Sequence, residues 1–270
     1  MSAYARPTRI EDALELLARD ARTVLAGGTD FYPARVGAPP ATNVLDVTAL
    51  HELRGIAEVA ADWRIGATTT WSELIEAKLP PAFHGLKLAA REIGGRQIQN
   101  AGTVAGNLCN ASPAADGVPP LLALDASVEI ARAGARRRLP LGEFILGPRR
   151  TALEPGELVT AILVPKPRHA AASGFLKLGA RRYLVISIAM VAAVIERDGG
   201  EITAARVAVG ACSPVARRLA GLEQDLLRGD FRVRPEHLAP LAPLDDVRGS
   251  VQYRRDAVLV LVQRLLDQLA

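Results

Sequence analysis

The pattern of apolar and polar positions predicts alternating strands and helices along the first part of the chain. In "TRIEDALELLARD", apolar residues recur at helical spacing, and Thr8 with Glu11 three residues later predicts an N-cap. "TVLAGGTDF" predicts a short buried strand that ends in a glycine-rich turn, "ARVG" a helical turn ending at Gly37, and "TNVLDVT" another strand. Residues 1 to about 55 are therefore expected to form a small β-α-β-like unit.

The next segment predicts a mixture of hairpins and short helices. "RGIAEVAADWRIGATTTWSELIEAKL" predicts strand, tight turn, strand and a helix capped by Thr70 or Ser72. "HGLKLAAREIGG" predicts a helix that stops at the paired glycines Gly94 and Gly95. "PLLALDASVEIARAGARRRLPLGEF" predicts helix, strand, glycine turn and strand, and "GELVTAILVPKP" a strand ended by prolines.

A second domain is predicted after the proline- and alanine-rich "VPKPRHAAASG", which we take as a linker near residue 170. "SGFLKLGARR" and "LVISIAMVAAVIERDGGEITAARVAVGAC" predict long strands with a hairpin turn at Gly199–Gly200. "PVARRLAGLEQDLL" and "YRRDAVLVLVQRLLDQLA" predict helices. We expect residues 1–170 to form one domain, with subdomains of about 1–55 and 56–170, and residues 171–270 to form an α+β domain.

The composition and charge exclude several classes of protein. The 270 residues are 49% apolar, which is enough for real cores, but the longest largely apolar run, Leu184 to Ile195, is shorter than the roughly 20 residues that span a bilayer. "MSAYARPTRIED" has no apolar signal core, so we expect a cytoplasmic protein without a membrane span. The net charge of +4 is mild, and the basic run Arg136–Arg138, expected on the exposed face of a hairpin, has no interleaved aromatics. Nucleic-acid binding is therefore not expected.

Several common chemistries lack their motifs. Cys109 and Cys212 lie far apart, so neither a disulfide framework nor a Cys₄ iron–sulfur site is predicted. The sequence contains no GxGxxG after a strand, no GxxxxGK[ST], no HExxH and no GxSxG. We therefore predict no metal ligands and no catalytic acid–base residues in this chain.

Two glycine-rich segments carry the candidate chemistry. "LAGGTDF", from Leu25 to Phe31, can present backbone amides to an anion, and "AGTVAGN", from Ala101 to Asn107, adds hydroxyl and amide side chains. One such segment is usually only a turn. Two with almost no charge favour a buried diphosphate held by neutral donors. Asp116, among small residues, could accept a hydrogen bond from a ligand or cap the following helix.

These segments also carry a family resemblance. "LAGGTDF" with "GGRQIQNAGTVAGNLCNASPAADGVPPLLALDA" resembles the FAD-binding medium subunit of the molybdenum hydroxylases, the xanthine dehydrogenase and carbon monoxide dehydrogenase flavoprotein family. Thr103–Asn107 matches its T-I-G-G-N motif and Asn110–Asp116 its N-A-S-P-A-A-D motif. "FLKLGARRYLVISIAMVAA" and "LDDVRGSVQYRR" resemble its K-L-x-x-R-R and D-x-R-G-S-x-x-Y-R-R segments, so the resemblance covers essentially the whole chain.

The resemblance implies an α+β fold: a two-subdomain FAD-binding fold of the PCMH (vanillyl-alcohol-oxidase-like) type, then an α+β C-terminal domain of the CO dehydrogenase flavoprotein type. The two glycine segments would hold the diphosphate and ribityl regions, Lys177 would lie at the flavin, and Ile186 would lie against its ring system. The cofactor-binding residues implied in this way are Val24, Leu25, Ala26, Gly27, Gly28, Thr29, Asp30, Phe31, Ile93, Ala101, Gly102, Thr103, Ala105, Gly106, Asn107, Asn110, Ala115, Asp116, Val159, Lys177 and Ile186.

Two positions depart from the family pattern. Ala105 stands where the family usually has glycine, so we expect a negative φ there. Val185 stands where an aspartate is common, which removes a carboxylate near the flavin.

The resemblance also implies a function. This subunit would pass electrons from the [2Fe–2S] clusters of a small partner subunit through FAD to an external acceptor such as NAD⁺. A large partner subunit with the molybdopterin cofactor would oxidise the substrate, in a dimer of heterotrimers. Two alternatives stay open at this point: a free-standing flavin-dependent oxidase of the same FAD-binding fold, and a scaffold subunit without flavin, of which Ala105 would be a sign.

Overall fold

The structure, a computed structural model, describes residues 4–37, 43–182 and 184–270. Its first unit is a small parallel sheet with the strand order β1-β3-β2. Its elements are β1 (Tyr4–Ala5), α1 (Ile10–Arg19), β2 (Thr23–Leu25) and β3 (Val44–Asp46). Helix α1 buries its apolar face, which includes Ile10, Leu14 and Leu17. The predicted β-α-β-like unit is therefore confirmed in the described residues.

The start of α1 differs from the sequence prediction. Arg9 takes the N-cap position and makes no side-chain capping bond. Instead, the backbone amide of Ile10 donates to Oε1 of Glu52, 2.7 Å away. Thr8 was therefore the wrong cap, because a carboxylate from a distant part of the chain occupies the helix N-terminus.

The second sheet is antiparallel and has the strand order β4-β5-β10-β6-β7. Its strands are β4 (Ile56–Glu58), β5 (Asp62–Gly66), β6 (Ser127–Arg132), β7 (Ala135–Pro140) and β10 (Leu158–Pro165), and a separate ribbon joins β8 (Ile145–Gly147) to β9 (Arg150–Thr151). The intervening helices are α2 (Trp71–Glu76), α3 (His84–Glu92), α4 (Arg96–Ala101), α5 (Val104–Asn110), α6 (Val118–Ala123) and α7 (Leu141–Phe144).

Local sequence signals account for several of these boundaries. Thr70 caps α2 in a capping box with Glu73, as predicted. Helix α3 stops just before Gly94, whose φ of +56° is one that glycine adopts readily. The predicted hairpin of β6 and β7 is confirmed, and two residues of its basic run form ion pairs: Arg137 with Glu157 and Arg138 with Asp62.

The third sheet is antiparallel and has the order β11-β12-β13-β14, from β11 (Ala170–Leu178), β12 (Ala189–Asp198), β13 (Glu201–Gly210) and β14 (Arg217–Arg218). Helices α8 (Ala220–Leu227) and α9 (Val251–Leu269) pack on one face. Helices α3 and α6 of the preceding part of the chain pack on the other. Alternate residues of β12 therefore enter two cores, Met190 and Val194 on one face and Val191 and Ile195 on the other.

Three sequence predictions in this region need correction. Ala170–Gly174 of the predicted linker belong to β11, because they pair with β12 and Gly174 packs against Gly85 of α3. Residues 184–188 precede β12 and are not strand, since Leu184 turns the backbone at a φ of +52°. Arg217–Arg218, predicted as helix, form β14. The connection between the second and third sheets is thus residues 166–169, where we propose the domain boundary.

No helix in the described ranges is both long and apolar enough to cross a membrane.

Candidate functional site

The two glycine segments lie in one cleft. It has a volume of about 510 Å³, and its walls come from the end of β2 and the residues after it, from one side of α5 and from the segment from Ser112 to Asp116. Ile93 and Ile186 add apolar surface at other points of the wall. The cleft thus joins residues far apart in the chain, as a site for an elongated ligand requires.

The segments contact each other directly through their backbones. A Cβ on Gly27 would lie 1.8 Å from the carbonyl oxygen of Ala101, so no other residue fits there. At Gly28 the φ is +71°, and a Cβ would meet the ring of Tyr32 at 2.9 Å. The "GG" pair is therefore needed for both a close approach and a turn.

The first glycine segment offers backbone donors. In the described part of the chain, no group accepts a hydrogen bond from the backbone amides of residues 27–31, whereas the amide of Tyr32 bonds to the carbonyl of Gly28 at 3.3 Å. Consecutive unbonded amides in a turn form a concave site for an anion. This segment can therefore hold a phosphate without a lysine.

The second glycine segment is mostly helical. Thr103 caps α5 by accepting a bond from the amide of Gly106 at 3.0 Å. Ala105 follows with a negative φ, as predicted, and its methyl group is buried in the hydrophobic core instead of the cleft. The side-chain oxygen of Asn107 is buried, faces no hydrogen-bond partner among the described residues, and belongs to a residue that lines the cleft. A buried amide oxygen without a partner is costly, so a ligand donor is expected there.

A buried ion pair lies at one end of the cleft. Nζ of Lys177 is 2.7 Å from Oδ2 of Asp116 and also donates to the carbonyl of Glu92, while the hydroxyl of Ser187 donates to Oδ1 of Asp116 at 2.5 Å. Burial raises the pKa of the Asp116 carboxyl, and the Lys177 charge and the Ser187 hydroxyl oppose that rise. Helix α6 is capped at Gly117 instead, so the alternative role of Asp116 as a helix cap is wrong.

Most of the implied cofactor-binding residues line the cleft: Val24, Ala26, Gly27, Gly28, Thr29, Asp30, Phe31, Ile93, Gly102, Thr103, Gly106, Asn107, Asn110, Ala115, Asp116 and Ile186. The others do not. Leu25 and Ala105 are buried in the protein, Ala101 contributes its carbonyl to the contact with Gly27, and Lys177 lies behind Asp116. Val159 is buried in β10 opposite Ile130, away from the cleft.

Comparison with known proteins agrees with this arrangement. Residues 1–167 match the model of the FAD binding domain in molybdopterin dehydrogenase, and residues 175–269 match that of the CO dehydrogenase flavoprotein C-terminal domain. The chain belongs to the FAD-binding medium subunits of the molybdenum hydroxylases.

Known proteins of this kind match this chain along almost their whole length. The chain is 30% identical to the xanthine dehydrogenase FAD-binding subunit of Escherichia coli O157:H7, over 99% of this chain and 95% of that one. It is 31% identical to the carbon monoxide dehydrogenase medium chain of Afipia carboxidovorans, over 98% and 95%. The structure matches that of carbon monoxide dehydrogenase from Hydrogenophaga pseudoflava with a TM-score of 0.88 and 28% identity, over 98% of this chain and 96% of that chain. The predicted fold is therefore confirmed.

The residues of the cleft fit the FAD of a medium subunit. The amides of residues 27–31 suit a diphosphate, and the partnerless oxygen of Asn107 suits a hydroxyl or amino donor. In the described ranges, no group of three or more His, Cys, Asp or Glu side chains could hold a metal ion.

Sequence reasoning missed three polar residues around the cleft. Arg149 spans its two sides, because Nη1 lies 2.7 Å from Oδ2 of Asp30 and also bonds to Asn110. Arg35 lines the cleft beside Phe31, and Ser187 holds Asp116. No spacing signal joins Arg149 or Ser187 to the glycine segments, whereas Arg35 follows the first segment by only four residues.

Proposed function

We propose that this chain is the subunit through which electrons leave a molybdenum hydroxylase. It holds FAD between the [2Fe–2S] clusters of a small partner subunit and an external acceptor such as NAD⁺, while a large partner subunit with the molybdopterin cofactor oxidises the substrate. Bound FAD supplies redox chemistry at both one- and two-electron levels, which suits such a junction. We further propose a dimer of heterotrimers in the cytoplasm.

The observation that supports this proposal is the meeting of two nearly uncharged glycine segments in one cleft. Their contact at Gly27 and Ala101 sets the two walls at a fixed separation. Backbone amides belong to one wall, and the other contains Asn107, whose buried side-chain oxygen has no hydrogen-bond partner among the described residues. This is a site that binds and orients a dinucleotide and does not supply proton transfer, which is what an electron-transfer subunit requires.

The residues around the ring end would tune the flavin. Asp116 is held in place by Lys177 and Ser187, so its carboxylate has a fixed position in the cleft wall. Ile186, of which 53% is exposed, offers an apolar surface for a ring system to cover. Val185 lines the same region and brings no charge to it. The chain would therefore orient the flavin with the fixed carboxylate of Asp116 nearby.

The test is purification of the protein with its partners from its native host, followed by a visible spectrum and a subunit gel. Flavin bands with iron–sulfur absorbance and two further subunits are the expected result. Reduction of NAD⁺ by the complex with a substrate of the molybdenum subunit would identify the acceptor. NAD⁺ that stays oxidised while a dye accepts electrons would remove NAD⁺ from the proposal and leave the rest.

The same preparation tests the two alternatives. A lone chain that turns over a small molecule with O₂ would be a free-standing flavin oxidase, and the electron-transfer proposal would be wrong. A complex whose medium subunit carries no flavin, and takes up none on incubation with FAD, would be a scaffold. The buried methyl group of Ala105 argues against the scaffold alternative, because it leaves the cleft wall intact.

A further inference from the structure

Of the described residues, four charged ones line the cleft, and two of these are offset by a partner of opposite charge. Asp116 is paired with Lys177 at 2.7 Å, and Asp30 with Arg149 at 2.7 Å. Arg35 also lines the cleft, and no carboxylate among the residues that the structure describes lies within ion-pair distance of it. Glu92, elsewhere in the wall, is likewise in no ion pair with a described residue, so an anionic ligand would meet an unbalanced cation only at the Arg35 side of the described lining.

Contacts with Phe31 fix the Arg35 side chain and leave most of its N–H donors without a protein acceptor among the residues that the structure describes. Its guanidinium carbon lies 3.9 Å from the centre of the Phe31 ring, a cation–π stack. One N–H group, on Nη1, donates to the carbonyl of Phe31 at 2.9 Å. A guanidinium has five N–H donors, so most of them stay available for a ligand.

The position of Arg35 puts it beside the unbonded amides. Residues 33–35 form a short 3₁₀ turn directly after the first glycine segment, and both bonds of the side chain return to Phe31, the last residue of that segment. Arg35 is partly buried, so its charge is less screened than that of a fully solvated arginine. Amides and a stacked arginine thus face the same part of the cleft.

We infer that Arg35 binds the diphosphate of the flavin cofactor and thereby selects the phosphate-bearing flavin over riboflavin. The inference rests on the proposed function, since it deepens the role of the same cleft. A charge-assisted, forked contact from arginine is stronger than a neutral hydrogen bond and suits phosphate oxygens. Asp30, in the same segment, would repel the diphosphate, and its ion pair with Arg149 reduces that repulsion.

The experiment is a flavin titration of the full chain after removal of its flavin, followed by fluorescence. FAD, FMN and riboflavin are titrated against the native chain and against Arg35→Gln, Arg35→Lys and Arg19→Gln. Arg19 is a matched control, because it lies in the same N-terminal unit, forms an ion pair with Glu15 and is outside the cleft. The titrations are repeated at low and high salt.

Arg35→Gln should bind FAD about tenfold more weakly or worse, because it loses a charge-assisted hydrogen bond to the diphosphate. Riboflavin binding should be unchanged, and the salt dependence of FAD binding should become shallower. The FAD affinity of Arg35→Lys should lie between those of the native chain and Arg35→Gln. Lysine keeps the positive charge but lacks the planar guanidinium that stacks on Phe31. Arg19→Gln should behave as the native chain.

Two results would overturn the inference alone: FAD binding unchanged in Arg35→Gln, or FAD and riboflavin weakened equally, which would show a structural role. A native chain that binds none of the three flavins would overturn both the inference and the proposed function.

Discussion

Gly27 and Ala101 are in backbone contact where the two walls of the cleft meet. The backbone of Gly27 lies so close to the carbonyl oxygen of Ala101 that a Cβ would come within 1.8 Å of it. The residues belong to different glycine segments, and the contact joins the end of β2 to the end of α4. The packing of the two glycine segments, and the cofactor binding that we propose for the cleft between them, therefore depend on the same glycine.

Replacing Gly27 with alanine should separate the cleft walls. Backbone atoms cannot yield as a flexible side chain can, so we expect a loss of about 2–3 kcal/mol in the free energy of unfolding. We also expect most of the flavin to be lost on gel filtration. The ratio of flavin absorbance to protein and a thermal unfolding curve measure both effects.

Gly142→Ala is the matched control for this variant. Gly142 is exposed in α7, and the nearest heavy atom to its added Cβ would be a Leu122 methyl at 3.9 Å. It should keep its flavin and its stability. A Gly27→Ala protein that behaves like this control would show that the walls can move apart without cost.

Removing Lys177 should destabilise the protein by leaving a buried carboxylate alone. Lys177→Met takes the ammonium away from Asp116, and such a loss costs about 3 kcal/mol in buried pairs. Burial already raises the pKa of Asp116, so this carboxyl should titrate at a still higher pH in the variant. Urea unfolding of the flavin-free chain at several pH values measures both changes.

The double variant Asp116→Asn/Lys177→Met separates charge from packing. It removes both charges, so we expect it to recover more than half of the stability lost in Lys177→Met. Equal losses in the single and double variants would show that packing around the lysine stem, and not the buried charge, carries the effect.

Acid should weaken the hairpin that contains the basic run. Hydrogen bonds from Arg137, at 2.7 Å to both carboxylate oxygens, outweigh the effect of burial and hold the pKa of Glu157 below its ordinary value. A carboxyl whose pKa is lowered by folding contributes stability above its unfolded pKa of about 4.3, and that stability is lost as the pH falls through the folded pKa.

Glu157→Gln should therefore lower the unfolding temperature at pH 7 and reduce its dependence on pH below about 4.3. Thermal unfolding of both proteins from pH 7 to pH 3 measures the two slopes. Parallel curves for the native chain and the variant would mean that Glu157 titrates alike in the folded and unfolded states.

Arg254 should be needed to order the segment that carries Ser187. Its guanidinium is buried and donates to the carbonyls of Ile188 and Ala211, while it also pairs with Asp246 at 2.6 Å. Arg254→Lys cannot reach all of these acceptors, so we expect a loss of about 2 kcal/mol or more. Trypsin should also cleave faster after Arg181, because the segment before β12 would open more often.

The neighbouring Arg255 is the control, since it lies on the exposed side of α9. Arg255→Lys should unfold and be cleaved at the native rates. Equal cleavage of the two variants would show that the segment is held by other contacts.

Local patterns predicted much of the secondary structure, and the reason is visible at particular residues. Thr70 and Glu73 cap α2 through bonds within four residues of each other, and Gly199 and Gly200 turn the hairpin of β12 and β13. Signals of this kind need no information from the rest of the chain. At the start of α1, the carboxylate of the distant Glu52 accepts the bond from the first helical amide, and the local pattern therefore predicted the wrong cap.

The sequence by itself determined the family, the fold class and the two glycine segments. Short motifs of small residues are recognisable in a sequence because a backbone that approaches a ligand closely has no room for larger side chains. Only the tertiary structure decided which residues share the cleft. Folding brought Arg149 and Ser187 to those segments and placed the methyl group of Ala105 in the hydrophobic core. An ion pair such as that of Asp30 and Arg149 joins residues that are far apart in the chain, so the local sequence pattern does not predict it.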